Sequence, residues 1–353
     1  MTANTISRII LTPPCITGNT VKQRVSCIRA HRERIFRVDY EYAHNKHIFH
    51  TYGHGGAGWT FLFGSVRQSL RLFDEHTFTK NQPITVIGAG CYGLLTAILL
   101  ARQGYSVTIY AQETANIPSY NAAGFFFPRH RKSSTPAEIA AFALTGLESY
   151  QEYLRIIQGQ HPFISTGALV LPTYYGLDIN PGLEPYIAQQ LMPQPEKVII
   201  DFNNNKYYSA MMYQTLFINA PIIMKEMEQE QQRLIIPIVV TTVKQFSEIN
   251  ASIIFNCAGL GAKELAHDPG MVPVQGHLIS LTNQPPIEQL QYMINFKVTQ
   301  DSPYGYVRDE LIYFAPKESG ILGITFKRGV ADSTAHEYEF DRLLQRSADF
   351  FGT

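Results

Sequence analysis

Two glycine-rich stretches carry residue types and spacing that chemistry can use. Gly88-Ala-Gly-Cys-Tyr-Gly93 follows the short apolar run Ile84-Thr-Val-Ile87 and leads straight into a second apolar run. Glycines so spaced let backbone approach a pyrophosphate, and the amides and dipole at the following helix's N-terminus face its charge. The pattern alone is weak; a strand on either side of it points to dinucleotide binding rather than a structural turn. The second stretch is Tyr52-Gly-His-Gly-Gly-Ala-Gly-Trp-Thr60. Its glycines, Gly53, Gly55, Gly56 and Gly58, suit a tight backbone wrapped on a flat ligand. Trp59 to Phe73 then reads as a helix aimed at whatever the loop holds. An isoalloxazine ring meets that need, since reduced flavin carries negative charge that a helix N-terminus stabilises. A plain helix-capping loop is the alternative.

Further candidates lie nearby in the sequence. The strand after the glycine turn ends at Tyr110-Ala-Gln-Glu113, where an acid would bind the adenosine ribose. Glu113 is the carboxylate available, and Gln112 can donate and accept at the same hydroxyls. A solvated surface residue is the competing reading of Glu113. Asn121-Ala-Ala-Gly-Phe-Phe-Phe-Pro128 has side chains small enough to lie along a flavin, and composition equally allows a buried aromatic corner.

Positioning these residues requires a βαβ unit. Ile84–Ile87 reads as a buried parallel strand, Cys91–Gln103 as a helix ended by Gly104, and Ser106–Tyr110 as the next strand. Beyond it, 136–157 and Ala220–Leu234 read as helices. Ile235–Thr242 is strand-like, and Ala251–Phe255 is a second buried strand ending in Asn256-Cys-Ala-Gly-Leu-Gly261. The runs 276–281, 311–314 and 320–326 alternate as antiparallel strands do, Arg34–Val38 is expected to add another, and 167–213 to mix strands with loops.

Bulk properties narrow the class. The 353 residues are 45% hydrophobic and 16% charged, which is globular rather than disordered. Formal net charge is zero, so no chain-wide field favours nucleic acid or an anionic membrane surface. The basic run Arg129-His-Arg-Lys132 reads as a solvated loop. Four cysteines without a CxxC pair suggest neither a zinc site nor a disulfide framework, and no metal is expected. A reduced, cytoplasmic protein is expected. The first residues hold too short an apolar run for a secretory signal, and no stretch of about 18 apolar residues marks a membrane span.

Four stretches together resemble a known family, the FAD-dependent amine and amino-acid oxidases of the D-amino-acid oxidase type. They are 86–93, 121–128, 254–262 with 274–281, and 52–60. The last is similar to that family's C-terminal flavin-binding signature, yet it stands near this N-terminus. The order becomes sensible if the chain is circularly permuted, with 73–83 joining the old ends. The resemblance implies an α/β fold, a Rossmann-type FAD-binding domain (45–150 and 220–275) interleaved with a mainly antiparallel substrate domain (15–44, 151–219 and 276–335). Residues 336–353 would form a terminal helix and tail.

The resemblance also implies roles. Arg29 would clamp a substrate carboxylate, with the hydroxyl of Tyr313 assisting. Gly88, Gly90 and Gly93 would hold the FAD pyrophosphate, and Gln112 with Glu113 the ribose. Gly55, Gly56, Gly58, Trp59 and Thr60 would contact the flavin, and Ala122, Ala123 and Gly124 would line it. Val243 would meet adenine through its backbone, and Gly259 would pack close to the cofactor. Cys27 and Ala30 stand where the family has glycine and proline around the arginine, and Gln112 where it has an acid.

The implied reaction is oxidation of the C–N bond of a small amino acid or amine, with hydride passing to flavin N5 and dioxygen reoxidising the flavin to give hydrogen peroxide. A homodimer is compatible with it. A related glycine or secondary-amine oxidase or dehydrogenase, and a flavin-binding protein without turnover, are the alternatives. An NAD-linked dehydrogenase leaves 52–60 without a role.

Overall fold

The structure, a computed structural model, describes residues 6–115, 117–129, 135–301, 307–334 and 336–353. The chain opens with strands β1 (Ser7–Ile10), β2 (Val21–Arg32), β3 (Arg37–Ala43) and β4 (Lys46–Tyr52), then helix α1 (Gly58–Asp74). Next come β5 (Ile84–Ile87), α2 (Cys91–Arg102), β6 (Val107–Ala111) and α3 (Pro136–Ile157). The middle holds β7 (Ala168–Gly176), α4 (Glu184–Ala188), β8 (Glu196–Asp201), β9 (Tyr207–Ile218), α5 (Ala220–Arg233), β10 (Ile238–Val240) and β11 (Ile253–Asn256). The last part holds α6 (Ala262–Leu265), β12 (Met271–Leu281), β13 (Met293–Asp301), β14 (Val307–Ala315), β15 (Ile321–Gly323), β16 (Lys327–Arg328) and α7 (Glu337–Phe351).

Two sheets organise these elements. One runs β10-β6-β5-β11-β4-β3, parallel from β10 to β4, with β3 returning antiparallel on the edge. β5 and β11 are apolar and fully buried, as central strands covered on both faces must be. Helix α2 packs on β5, β6 and β11 of this sheet and on α5, and α1 packs on α2, α3 and β4. The other sheet is larger and mostly antiparallel, running β1-β8-β9-β7-β13-β14-β15-β12-β16, with β2 also paired to β12. Helix α7 packs against β12, β14 and β15. It inserts Phe340, Leu343, Phe350 and Phe351 into the apolar core there.

Local chemistry explains several boundaries. Thr135 and Glu138 form a reciprocal cap on α3, the Glu138 amide donating to Thr135 Oγ1 at 3.2 Å and the Thr135 amide to Glu138 Oε2 at 2.7 Å. The strand expected at Arg34–Val38 begins only at Arg37, because Arg34 sits at φ 61°, in a turn no strand accommodates. The strand expected from Ile235 starts at Ile238, since Ile235 has φ 55° and Pro237 has no amide to donate. Sheet membership also differs from the sequence division in two places. β3 lies beside β4 in the parallel sheet, and β12, from Met271 onward, belongs to the antiparallel one.

Candidate cofactor and substrate site

The C-terminal ends of parallel strands in an open α/β sheet form the edge where ligands bind. Here β10, β6, β5, β11 and β4 run parallel and end at one edge. Beyond those ends lie Val243, then Gln112 and Glu113, then Gly88–Gly93, then Gly259, then Gly53–Thr60. Five sequence-predicted segments, spread from residue 53 to residue 259, thus share one edge.

The first glycine segment is dictated by close backbone packing. Gly88 has φ 108°, and its amide donates to the carbonyl of Tyr110 at 2.7 Å. A Cβ on Gly88 would come within 2.4 Å of the Cys257 carbonyl oxygen, and one on Gly93 within 1.9 Å of the Gly88 carbonyl oxygen. Gly90 caps α2 in extended conformation. Among the described residues, the one close neighbour of a Cβ there is Ser119 Oγ at 3.1 Å.

The second glycine segment joins the first directly. Gly55 and Gly56 form a tight turn into α1, whose first residues are Gly58, Trp59 and Thr60. Tyr92, from the first glycine segment, donates its hydroxyl to the Gly58 carbonyl at 2.7 Å. Its ring stacks on His54 with centroids 4.2 Å apart, and Phe36 stacks on the opposite face of His54 at 4.1 Å. His54 Nε2 bonds Ser65 Oγ at 2.9 Å. Burial among these rings pushes the imidazole down to about 3, so it is neutral.

A third segment closes the arrangement. Ser119 Oγ accepts from the Cys91 amide at 3.1 Å, and the Ser119 carbonyl accepts from Trp59 Nε1 at 3.0 Å. The Phe127 amide donates to Thr60 Oγ1 at 3.1 Å. Between them, Ala122 is extended, and Gly124, at φ 98°, accepts at its carbonyl from the Ile218 amide at 2.7 Å. Lys317 Nζ donates to the carbonyls of Tyr120 and Ala122 at 2.7 and 3.1 Å. Burial pushes this ammonium down to about 8.

The antiparallel sheet contributes the charge. Arg29 projects from β2 and is 8% exposed. Its guanidinium lies against Gly276, where a Cβ would come within 1.9 Å of Nη2, and a Cβ on Gly56 would lie 3.6 Å from its Cδ. Nη1 donates to the Thr325 carbonyl at 3.1 Å, while Nη2 has no hydrogen-bond partner among the described residues. The ring of Phe326 lies 4.9 Å away, in cation–π range. Burial draws the Arg29 pKa below its usual value, and the nearby Cys27 and Tyr313 act in the opposite sense. Tyr313 is half-buried on β14 and packs on Phe125 with centroids 3.9 Å apart. Burial raises its phenol well above the usual range.

Most expected site residues therefore converge: both glycine segments, 122–124, Gly259 (whose Cβ position is 3.9 Å from Ala30), Arg29 and Tyr313. Gln112, Glu113 and Val243 follow β6 and β10 at the same edge, whereas Arg29 comes from the other sheet, and Gln112 and Glu113 are exposed. Sequence reasoning missed Ser119, Tyr92 and Lys317, and read His54 only as structural. Ser119 and Tyr92 sit within two residues of recognised motifs. Nothing in Ala-Pro-Lys-Glu-Ser-Gly marks Lys317. The basic run expected as a solvated loop lies outside the described residues except for Arg129, which is exposed.

The site fits FAD on its own features. It offers a glycine turn under a helix N-terminus for a pyrophosphate, a second glycine turn beside it, and a small-residue segment across from that turn. Among the described residues no cluster of ligating side chains could hold a metal ion, and no helix is long and apolar enough to cross a membrane.

These features define a flavin-dependent oxidoreductase fold, and comparison with known proteins agrees. Residues 83–199 match the sequence model of the FAD dependent oxidoreductases. A D-amino-acid oxidase of Streptomyces coelicolor is 27% identical over 247 residues, 69% of this chain and 69% of its own length. A human D-aspartate oxidase is 25% identical over 214 residues, 56% of this chain and 59% of its own. Among solved structures, glycine oxidase from Geobacillus kaustophilus superposes with a TM-score of 0.55 at 16% identity, covering 76% of this chain and 78% of that one. Iminodiacetate oxidase from Chelativorans gives 0.55 at 14%, covering 75% and 78%. These two likenesses are of fold. The chain is thus similar to the FAD-dependent oxidoreductases over 83–199 and to a D-amino-acid oxidase over about two thirds of its length, and FAD is its cofactor.

Proposed function

We propose that this protein oxidises the C–N bond of a small amino acid or amine that carries a carboxylate. The observation that carries this reading is the buried Arg29, with one nitrogen unpartnered, set beside the Gly56 turn. A buried guanidinium lacking a counter-ion is costly, and a bidentate carboxylate relieves that cost while fixing the ligand's orientation. Tyr313 adds a neutral hydroxyl on the same side, its ionisation suppressed by burial. The residues assigned to FAD are Gly88, Gly90 and Gly93 at the pyrophosphate, Gln112 and Glu113 at the ribose, Val243 at the adenine through its backbone, and Gly259 packed close to the cofactor. Gly55, Gly56, Gly58, Trp59 and Thr60 take one side of the ring system, and Ala122, Ala123 and Gly124 the other. When bound, FAD supplies a hydride acceptor at N5 and a route for electrons to dioxygen, which would leave as hydrogen peroxide. The chain's own work is orientation: Arg29 and Tyr313 fix the carboxylate, and the buried rings of Phe125 and Trp59 keep water from that side.

The six-stranded sheet is assigned to the cofactor and the larger sheet to the substrate. The chain order is read as a circular permutation of the family's. β4, its glycine loop and α1 precede β5 in sequence, yet β4 and β5 flank β11. The Ile16 amide bonds Thr353 Oγ1 at 3.3 Å, so a connection from α7 back toward β2 would be short. Four free cysteines accord with a reducing, cytoplasmic compartment, and a homodimer is open to sedimentation analysis.

Purified protein is expected to show a flavin spectrum and to bleach anaerobically with an amino acid that has a free carboxylate. Arg29→Met should keep the flavin while kcat/KM falls by about a hundredfold or more, the scale of a buried charge left unpaired. A yellow protein that no amino acid or amine reduces would leave a flavin-binding protein without turnover.

A further inference from the structure

The cavity next to Arg29 has an unusual lining. It measures about 360 Å³ and is walled by Arg29, Arg32, Arg34, Arg129 and Arg328, with phenylalanines and the His54 turn completing it. No aspartate or glutamate lines it among the described residues. In a chain whose formal charge is zero, five guanidinium groups on one cavity are a local concentration, and a cleft lined by one sign of charge focuses its field on a ligand.

Three of the five have counter-ions placed behind the wall. Arg32 Nε pairs with Asp268 at 2.8 Å, Arg34 pairs with Glu138 at 3.1 Å, and Arg328 pairs with Glu33. Those carboxylates hold the side chains in place without entering the cavity. Two remain without an acidic partner. Arg29, deep in the cavity, donates to one carbonyl and leaves Nη2 unpartnered. Arg129, at the exposed side, has no ion pair among the described residues. A ligand with one carboxylate would satisfy Arg29 and leave the mouth of the cavity positive.

Resting on the amine-oxidation reading above, we infer that the preferred substrate is an amine bearing two carboxylates, the first held by Arg29 and the second by Arg129 at the cavity mouth. The chemical class is that of the acidic amino acids. An amide in the second carboxylate's place would still accept from Arg129 through its carbonyl oxygen, but it would bring no charge to the arginine-lined wall. Discrimination is therefore by charge.

Aspartate and asparagine are nearly isosteric and differ in that charge. Both enantiomers of each, with glutamate and glutamine, are offered to the holoenzyme under anaerobic conditions, and flavin bleaching is followed. The acid should exceed its amide in kcat/KM by about tenfold or more, the scale of one charge-assisted hydrogen bond. Arg129→Met should bring that ratio toward one, through KM, and Arg129→Lys should keep part of it. Independently of turnover, succinate should perturb the flavin spectrum and raise the melting temperature more than butyrate does. Amides oxidised as well as acids, with succinate no better than butyrate, would overturn the inference while leaving amine oxidation standing. Failure of every amine to reduce the yellow protein would remove the underlying reading, and this inference with it.

Discussion

The two glycine segments look alike in sequence and are built for different reasons. In Gly88–Gly93 the obstacles to a side chain are backbone atoms, the Cys257 carbonyl beside Gly88 and the Gly88 carbonyl beside Gly93. In Gly53–Gly58 the close obstacles are side chains, Arg32 at 2.5 Å from a Cβ on Gly53 and His31 at 2.7 Å from one on Gly55, while a Cβ on Gly56 or Gly58 meets ordinary contacts at 3.6 and 3.7 Å. The first segment needs glycine to fold. The second, at 56 and 58, has room for a methyl group and carries none, which points to a ligand as the reason. The largest test of this contrast is Gly93→Ala. With backbone at 1.9 Å the helix must shift off the turn, and a loss of about 3 kcal/mol is expected, the upper range for overpacking. Chemical denaturation of the apoprotein would measure it, and an unchanged midpoint would erase the distinction.

The contact between the segments gives two smaller tests. His54 is neutral in the folded state, with its pKa near 3 against an unfolded value near 6.5. The unfolded chain thus binds the extra proton first as pH falls. Stability is unaffected above about pH 6.5 and declines below it, by about 2 kcal/mol at pH 5 from this group. His161 and His277 are depressed in the same direction, each to about 4, so the slope belongs to several residues. His54→Phe keeps a ring between Phe36 and Tyr92 and removes one titrating group. Its stability should depend less steeply on pH between 6.5 and 5 than that of the unaltered protein. Equal slopes would mean the stack opens to water. Tyr92→Phe keeps the stack and deletes the bond to Gly58, for an expected loss of about 1 kcal/mol in thermal unfolding.

How much of this was legible in sequence follows the same contrast. Periodicity found α2, α3, α5 and both buried strands within a few residues, because burial on one face or both leaves a regular apolar signature. The strand limits at Arg37 and Ile238 were misplaced because the deciding residues, Arg34 and Ile235, hold positive φ without being glycine or asparagine. At the site, Gly88 and Arg29 were found from motif and resemblance. Lys317 was not, since its significance comes from two carbonyls 195 and 197 residues away, and no local pattern encodes such a partner. The arginine wall was hidden for the same reason, its members arriving from β2, the turn after it, 129 and β16.

The finest test separates fold from binding at a single methyl group. Gly58 has φ −51° and ψ −50°, ordinary helical values, and opens α1. Gly58→Ala places its Cβ 3.7 Å from the ring of Tyr92, without a clash. In the apoprotein the change restricts the unfolded chain, and stability should rise by about 0.4–1 kcal/mol. Affinity for FAD should move the other way, because the new methyl stands in the turn assigned to the flavin. Titration of apoprotein with FAD, followed by flavin fluorescence, reads that affinity beside the melting temperature. A variant both more stable and equally tight for FAD would show that the second segment's glycines serve only the turn, and the ring would then have to lie elsewhere on the edge.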